Sequence, residues 1–254
     1  MPTAGAVGSA NLPDANLETG AAAAVPASHE RRLNATALMD LLIFDLDGTL
    51  IDSRLDLANA VNAMRAHMGM PALENERVYS YVGNGAPVLI RRALGERATE
   101  AEVEEGLEYF LEYYRDHALD YTTLYPGVKP ALDRLLNAGK RMAVLSNKPV
   151  RMSRYIVEGL GVGKHFFQVY GGNSFEFKKP NPIGVEALIR EAGSARERTA
   201  IVGDSSVDVQ TALNAGVFCC GVTYGFQPET LSDPAPDLLV DRMEEFAAWV
   251  LGQQ

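Results

Sequence analysis

The chain has 254 residues, 47% of them hydrophobic, and a formal net charge of −10. That length supports one substantial core, or a core plus a smaller domain. The negative charge repels nucleic acid and anionic membrane surfaces and excludes both as expected partners. No stretch approaches the roughly 20 apolar residues of a membrane span. The two cysteines are adjacent, Cys219 and Cys220, within an apolar stretch. They read as small core residues of a reducing, cytoplasmic compartment and not as a disulfide framework.

Residues 1–38 are rich in Ala, Gly, Pro, Asn and Ser and lack a period. They are expected to form a disordered leader. The apolar run at 21–25 is too short for a signal-peptide core, and no basic segment precedes it. Met39 stands directly before the first predicted strand and is an alternative start. Residues 41–44 are apolar and predict a buried strand. Asp45-Leu46-Asp47-Gly48-Thr49 follows at once. Two carboxylates at the carboxyl end of a buried strand are costly unless a cation neutralises them. A hard divalent cation such as Mg²⁺ suits such oxygen donors.

After Ile51-Asp52-Ser53 the pattern becomes helical. Leu57, Val61, Met64 and Met68 recur at helical spacing. Segments 76–82 and 86–94 read as further helices, separated by Gly83-Asn84-Gly85. Thr99-Glu100-Ala101-Glu102 is a capping box, opening a helix with Val103, Leu107, Phe110 and Tyr114 on one face. Residues 55–123 therefore predict a small helical bundle whose tyrosines and methionines are core.

Tyr125-Pro126-Gly127 marks the return, with Pro130 near a helix start and Gly139 just past its end. Strands at 141–145, 168–170, 199–202, 218–222 and 238–240 then alternate with helices at 151–160, 182–192, 207–215 and 243–251. The alternation predicts an α/β fold: a Rossmann-like, three-layer core with a parallel sheet. Residues 39–54 and 124–254 would form that core, and 55–123 an inserted α-helical cap. Sites in such folds lie beyond the carboxyl ends of the strands.

Three further segments fall at that rim. Ser146-Asn147-Lys148 follows one strand, and its hydroxyl and backbone N–H groups suit phosphate oxygens. Lys178-Lys179-Pro180 follows the next and supplies positive charge. Gly203-Asp204-Ser205-Ser206-Val207-Asp208 follows a third, placing Asp204 and Asp208 four apart across a helix start. Three or four carboxylates, a hydroxyl and a lysine at one rim suit phosphoryl transfer. A metal and a lysine offset phosphate charge, one aspartate attacks phosphorus, and its neighbour two residues on protonates the leaving oxygen and then activates water.

These four ordered segments resemble the haloacid dehalogenase superfamily, in its helical-cap phosphatases, over about residues 40–250. The resemblance implies that Asp45 is the nucleophile and a Mg²⁺ ligand. Asp47 would be the general acid/base and bind metal through its backbone carbonyl. Asp204 would be a metal ligand, and Asp208 would reach the metal through water. Ser146 and Lys179 would bind the phosphoryl group, with Lys179 also restraining the charge of Asp45 and Lys178 its competitor. Gly48, Thr49 and Asn147 are further expected substrate contacts.

Within the superfamily, the segments around 44–53, 82–85, 125–128, 144–149 and 171–182 resemble phosphoglycolate phosphatases. That implies a small phosphate ester as partner, 2-phosphoglycolate first. Asn84 and Gly85 would form a cap loop meeting the substrate, and Arg91 or Arg92 would pair with a second anionic group. Sugar phosphates, nucleotides and pyrophosphate are the alternative substrates, and a β-phosphoglucomutase-like mutase is the rival reaction. Dehalogenase chemistry lacks a place for Asp47. Phosphonate hydrolysis needs a cap lysine, and no lysine lies between Ser53 and Thr123. A purely binding role would leave a complete set of reactive groups idle. Monomer and homodimer are both compatible with the sequence.

Overall fold

The computed structural model describes residues 39–252; the predicted leader lies outside the described residues. Strand β1 (Leu41–Phe44) is buried along its whole length. Its side chains alternate between two apolar layers, as the pleat of a strand requires. Leu41 and Ile43 join one core, and Leu42 and Phe44 join the other. A strand apolar on both faces belongs inside a sheet covered on both sides.

The sheet contains six strands in the order β5-β4-β1-β6-β7-β8. These are β4 (Arg141–Leu145), β5 (Gln168–Tyr170), β6 (Thr199–Gly203), β7 (Phe218–Val222) and β8 (Leu238–Val240) beside β1. Every pair is parallel. Helices α7 (Ile183–Ala192) and α8 (Ser206–Ala215) bury Val185, Leu188, Val209 and Ala212 on the Leu41/Ile43 face. On the other face α5 (Val128–Asn137), α6 (Val150–Gly159) and α9 (Met243–Val250) bury Leu132, Ile156 and Phe246. The Phe246 ring meets Phe44 edge-on at 6.1 Å.

The predicted strands and helices are all present, with ends shifted by a residue where a cap was counted as helix. Strand 199–202 extends to Gly203. One segment needs a larger correction. The predicted helix 76–82 is α2 (Asn75–Tyr79) and stops short of Val82. Tyr81 and Val82 donate to the carbonyls of Val78 and Tyr79, tightening the last turn before Gly83 at φ 113°.

The helical insertion comprises α1 (Arg54–His67), α2, α3 (Ala86–Leu94) and α4 (Glu100–His117). Thr99 and Glu102 form the predicted capping box, with Glu102 N donating to Thr99 Oγ1 at 3.3 Å and Thr99 N to Glu102 Oε2 at 2.7 Å. The chain leaves and re-enters the sheet through a two-residue antiparallel ribbon, β2 (Ile51–Asp52) with β3 (Thr123–Leu124). Strands this short carry no readable alternation.

Asp56, buried in the first turn of α1, fastens this crossing. Its carboxylate accepts from Tyr121 N at 3.0 Å, Thr122 N at 2.8 Å and Thr122 Oγ1 at 2.7 Å. Asp56→Ala strands buried donors, so we expect a loss of about 3 kcal/mol in denaturant unfolding. A loss below about 0.5 kcal/mol would show that the anchor is dispensable.

Candidate active site

The sheet order determines which side chains meet. Phe44 stands in register with Val144 on one side and Val202 on the other. The residues just beyond, Asp45, Ser146 and Asp204, therefore emerge together at the carboxyl rim. Gly48 lets the chain turn there. Its φ is 83°, and a Cβ on it would stand 2.2 Å from Asp204 Oδ2, so both conformation and space require glycine.

Asp45, Asp204 and Asp208 each offer an oxygen, and these oxygens lie within 4.8 Å of one another. One ammonium meets two of the three. Lys179 Nζ is 3.0 Å from Asp45 Oδ1 and 2.6 Å from Asp208 Oδ1. The other oxygen of Asp208 accepts from Ser205 Oγ and N at 2.8 and 3.2 Å. Asp204 Oδ2 accepts from Phe226 N at 2.6 Å, and Oδ1 from Thr49 Oγ1 at 3.4 Å.

Three carboxylates against one lysine leave excess negative charge in a site with little water. Burial pushes the Asp45 carboxyl up to about 6 against the pull of Lys179. Burial, reinforced by the charges of Asp208 and Asp45, pushes Asp204 up to about 8. Burial alone would lower Lys179, but Asp208 and Asp45 hold it above its ordinary range. A hard, oxygen-seeking divalent cation fits this donor set, since it offsets the surplus charge without protons.

Asp47 belongs to a separate pair. Its oxygens lie 2.8 and 2.9 Å from Lys148 Nζ, and Ser53 Oγ donates to Oδ1 at 2.5 Å. Burial alone would lower the Lys148 ammonium; Asp47 and Tyr114 hold it above its ordinary range. The ring of Tyr114, from α4, stands 4.8 Å from the same Nζ.

Above this floor lies a cavity of about 750 Å³, within the ordinary range for a small ligand of roughly 300–1,000 Å³. Asp45, Asp47, Ser146, Asn147 and Asp204 line it from the sheet, and Gly85, Leu89 and Tyr114 from the insertion. Two core side chains hold the loop at 83–85: Asn147 Nδ2 donates to Gly83 O at 3.1 Å and Lys178 Nζ to Asn84 O at 2.6 Å. Gln227 Nε2 donates to Val82 O at 2.8 Å just before it.

The predicted site residues divide accordingly. Lys179 and Asp208 sit beneath the floor, while Lys178 is committed to the loop. Gly48, Thr49, Asn84 and Arg91 are not among the lining residues. The Gly48 and Thr49 N–H groups donate to Ile51 O and Leu46 O within the turn. Arg91 is exposed and pairs with Glu100 at 2.5 Å, and Arg92 donates to Tyr81 O. The structure does not bring either arginine to the cavity.

Two parts of the site have no counterpart in the sequence reading. Lys148 carries no expected role in the sequence, although its place just after a strand end is a usable signal. The loop after β7, which supplies Phe226 and Gln227, also follows a strand end and was open to the same rule.

Fold and site together define a class: a doubly wound α/β enzyme core with a carboxylate-rich site at its carboxyl rim. A family model described as haloacid dehalogenase-like hydrolase matches residues 42–222. A phosphoglycolate phosphatase of Vibrio parahaemolyticus is 40% identical over 212 residues, covering 81% of this chain and 93% of the relative. One from Pseudomonas syringae pv. syringae is 38% identical over 220 residues, covering 84% and 80%. A crystal structure of a predicted phosphoglycolate phosphatase from Haemophilus somnus superposes with a TM-score of 0.78 at 31% identity, covering 82% of this chain and 96% of that one. The chain belongs to the haloacid dehalogenase-like hydrolase family.

Proposed function

We propose that this protein is a divalent-metal-dependent phosphatase that forms an aspartyl-phosphate at Asp45 and hydrolyses 2-phosphoglycolate to glycolate and phosphate. The observation that carries the reaction is the cluster of Asp45, Asp204 and Asp208 beside one lysine, at the floor of a cavity between the sheet and the insertion. The relatives named phosphoglycolate phosphatase, at 38–40% identity, support the substrate.

Asp45 and Asp204, with the Asp47 backbone carbonyl, would hold the metal, and Mg²⁺ suits these donors best. Asp208, whose oxygens already accept from Lys179 and Ser205, would act through water. When bound, the cation offsets the charge of phosphate and carboxylates.

An Asp45 oxygen attacks phosphorus as the bond to the ester oxygen breaks. Asp47 gives its proton to that leaving oxygen, so glycolate departs neutral at the hydroxyl. The same carboxylate then takes a proton from water, whose oxygen attacks phosphorus and frees Asp45 and phosphate. Ser146 and Asn147 orient the phosphoryl oxygens, while Lys179 holds Asp45 in line from below. The helical insertion acts as a cap that excludes bulk water, and Gly85 brings its loop to the cavity.

The test is phosphate release from 2-phosphoglycolate, sugar phosphates, nucleoside monophosphates and pyrophosphate. We expect 2-phosphoglycolate to lead in kcat/KM by more than tenfold, about 1.4 kcal/mol of transition-state preference. Equal rates would mean a broad phosphatase, and transfer of phosphate to a sugar in place of water would mean a mutase. Asp204→Asn should raise the Mg²⁺ concentration for half-maximal rate at least about tenfold. An unchanged requirement would remove Asp204 from the metal site.

A further inference from the structure

Among the described residues that line the cavity, Lys148 is the only lysine. Its side chain is 5% exposed, and its Nζ faces both oxygens of Asp47. An ammonium carries three donors, and Asp47 can occupy two at most. The ring of Tyr114, from the insertion, lies over the same ammonium. The charge therefore lies between the acid of the core and the wall of the cap.

The cavity has two other cations, and neither is comparably placed. Arg115 is exposed and already pairs with Asp116 at 2.9 Å and Glu112 at 3.9 Å. Arg151 lies on the exposed side of the first turn of α6. A charge contact is screened least where water is excluded, which favours Lys148.

The proposed reaction puts Asp47 against the ester oxygen. In a phosphorylated 2-hydroxy acid, one carbon separates that oxygen from the carboxylate. A cation already in contact with Asp47, on a residue that lines the cavity, is therefore within reach of such a carboxylate. We infer that Lys148 is the residue that recognises the carboxylate of the proposed substrate and so sets the preference for it over uncharged esters. The inference rests on the phosphatase reading above. It places the selective contact in the core, beside the acid/base, and not on the arginines of the insertion.

The experiment compares kcat/KM for 2-phosphoglycolate with that for ethyl phosphate, which carries a methyl group in place of the carboxylate. The proteins are the wild type, Lys148→Met, Lys148→Arg and Arg151→Met, each assayed with Mg²⁺. Loss of Lys148 also frees Asp47, so both esters will slow; the readout is their ratio. We expect Lys148→Met to reduce the preference for 2-phosphoglycolate roughly 10- to 100-fold, as removal of a charged hydrogen bond implies. Lys148→Arg should retain part of the preference, and Arg151→Met should change it less than about threefold.

An equal loss for both esters in Lys148→Met would overturn the inference, leaving Lys148 as a positioning residue for Asp47. A ratio that collapses in Arg151→Met and not in Lys148→Met would overturn it as well. A wild type that hydrolyses neither ester would reject the phosphatase reading itself, a distinct result. If Lys148→Met does not fold, inhibition of the wild type by 3-phosphonopropionate and propylphosphonate makes the same comparison. Equal inhibition by the two would count against a carboxylate site.

Discussion

Asp45→Asn is expected to lower turnover of any phosphomonoester by at least about 10⁴-fold, because an amide neither attacks phosphorus nor forms the acyl-phosphate. The side chains are nearly isosteric, so the loss is chemical and not steric. The same change removes one of the three clustered carboxylates, and one of the two that pair with Lys179. In EDTA the variant should therefore melt no lower than the wild type, and higher at alkaline pH. Dead catalysis with undiminished stability separates a reactive group from a structural one. Retained turnover would move the nucleophile elsewhere, and a large fall in melting temperature would make Asp45 a packing residue.

The second large effect is a dependence of stability on pH that metal removes. Asp45 titrates near 6 and Asp204 near 8 in the folded chain, against an ordinary value of 3.8. Between about pH 4 and 8 the folded protein thus holds protons that the unfolded chain has released. Stability changes with pH in proportion to protons bound unfolded minus folded. That difference is negative here, so the metal-free protein weakens as pH rises through this window. A divalent cation competes with those protons and binds the folded state alone, so its stabilisation should grow with pH. We expect saturating Mg²⁺ to raise the melting temperature at least about 4 °C more at pH 8.5 than at pH 5.5. A gain that is the same at both, or larger at pH 5.5, would contradict the charge balance drawn for the floor.

The sequence made the sheet legible because each buried strand ends abruptly at a polar rim. Leu41–Phe44 followed by Asp45 is apolar on both faces and then charged, which is both a fold signal and a site signal. Asp204, directly after Gly203 at the end of β6, was visible for the same reason. What remained hidden depended on neighbours in space. Lys148 beside Pro149 resembles any solvated lysine at a turn. Only the adjacency of β4 and β1 in the sheet order brings it against Asp47. Arg91 shows the converse. Its place in an insertion helix suggested an anion contact, but its rotation about that helix turns it to Glu100. Helical spacing predicts which side is apolar, not which polar side faces a cavity assembled from other elements.

The lysine at 148 also separates two questions that a single assay would merge. In the proposed reaction Lys179 and Asp208, which contact Asp45 and each other, would bear on how phosphorus is attacked. Lys148 and Tyr114, beside Asp47, would bear on which ester is chosen. Substitutions in the first pair should lower rates for all esters alike. Substitutions in the second should change the ranking among them.

The most direct test of the account is to trap the intermediate. The wild type is mixed with 2-phosphoglycolate carrying a labelled phosphoryl group and Mg²⁺, quenched in acid within one turnover and digested. Label is expected on the peptide containing Asp45, released by hydroxylamine as an acyl-phosphate should be, and absent from Asp45→Asn. Label on another residue, or phosphate formed with no labelled peptide in a protein that turns over, would contradict it.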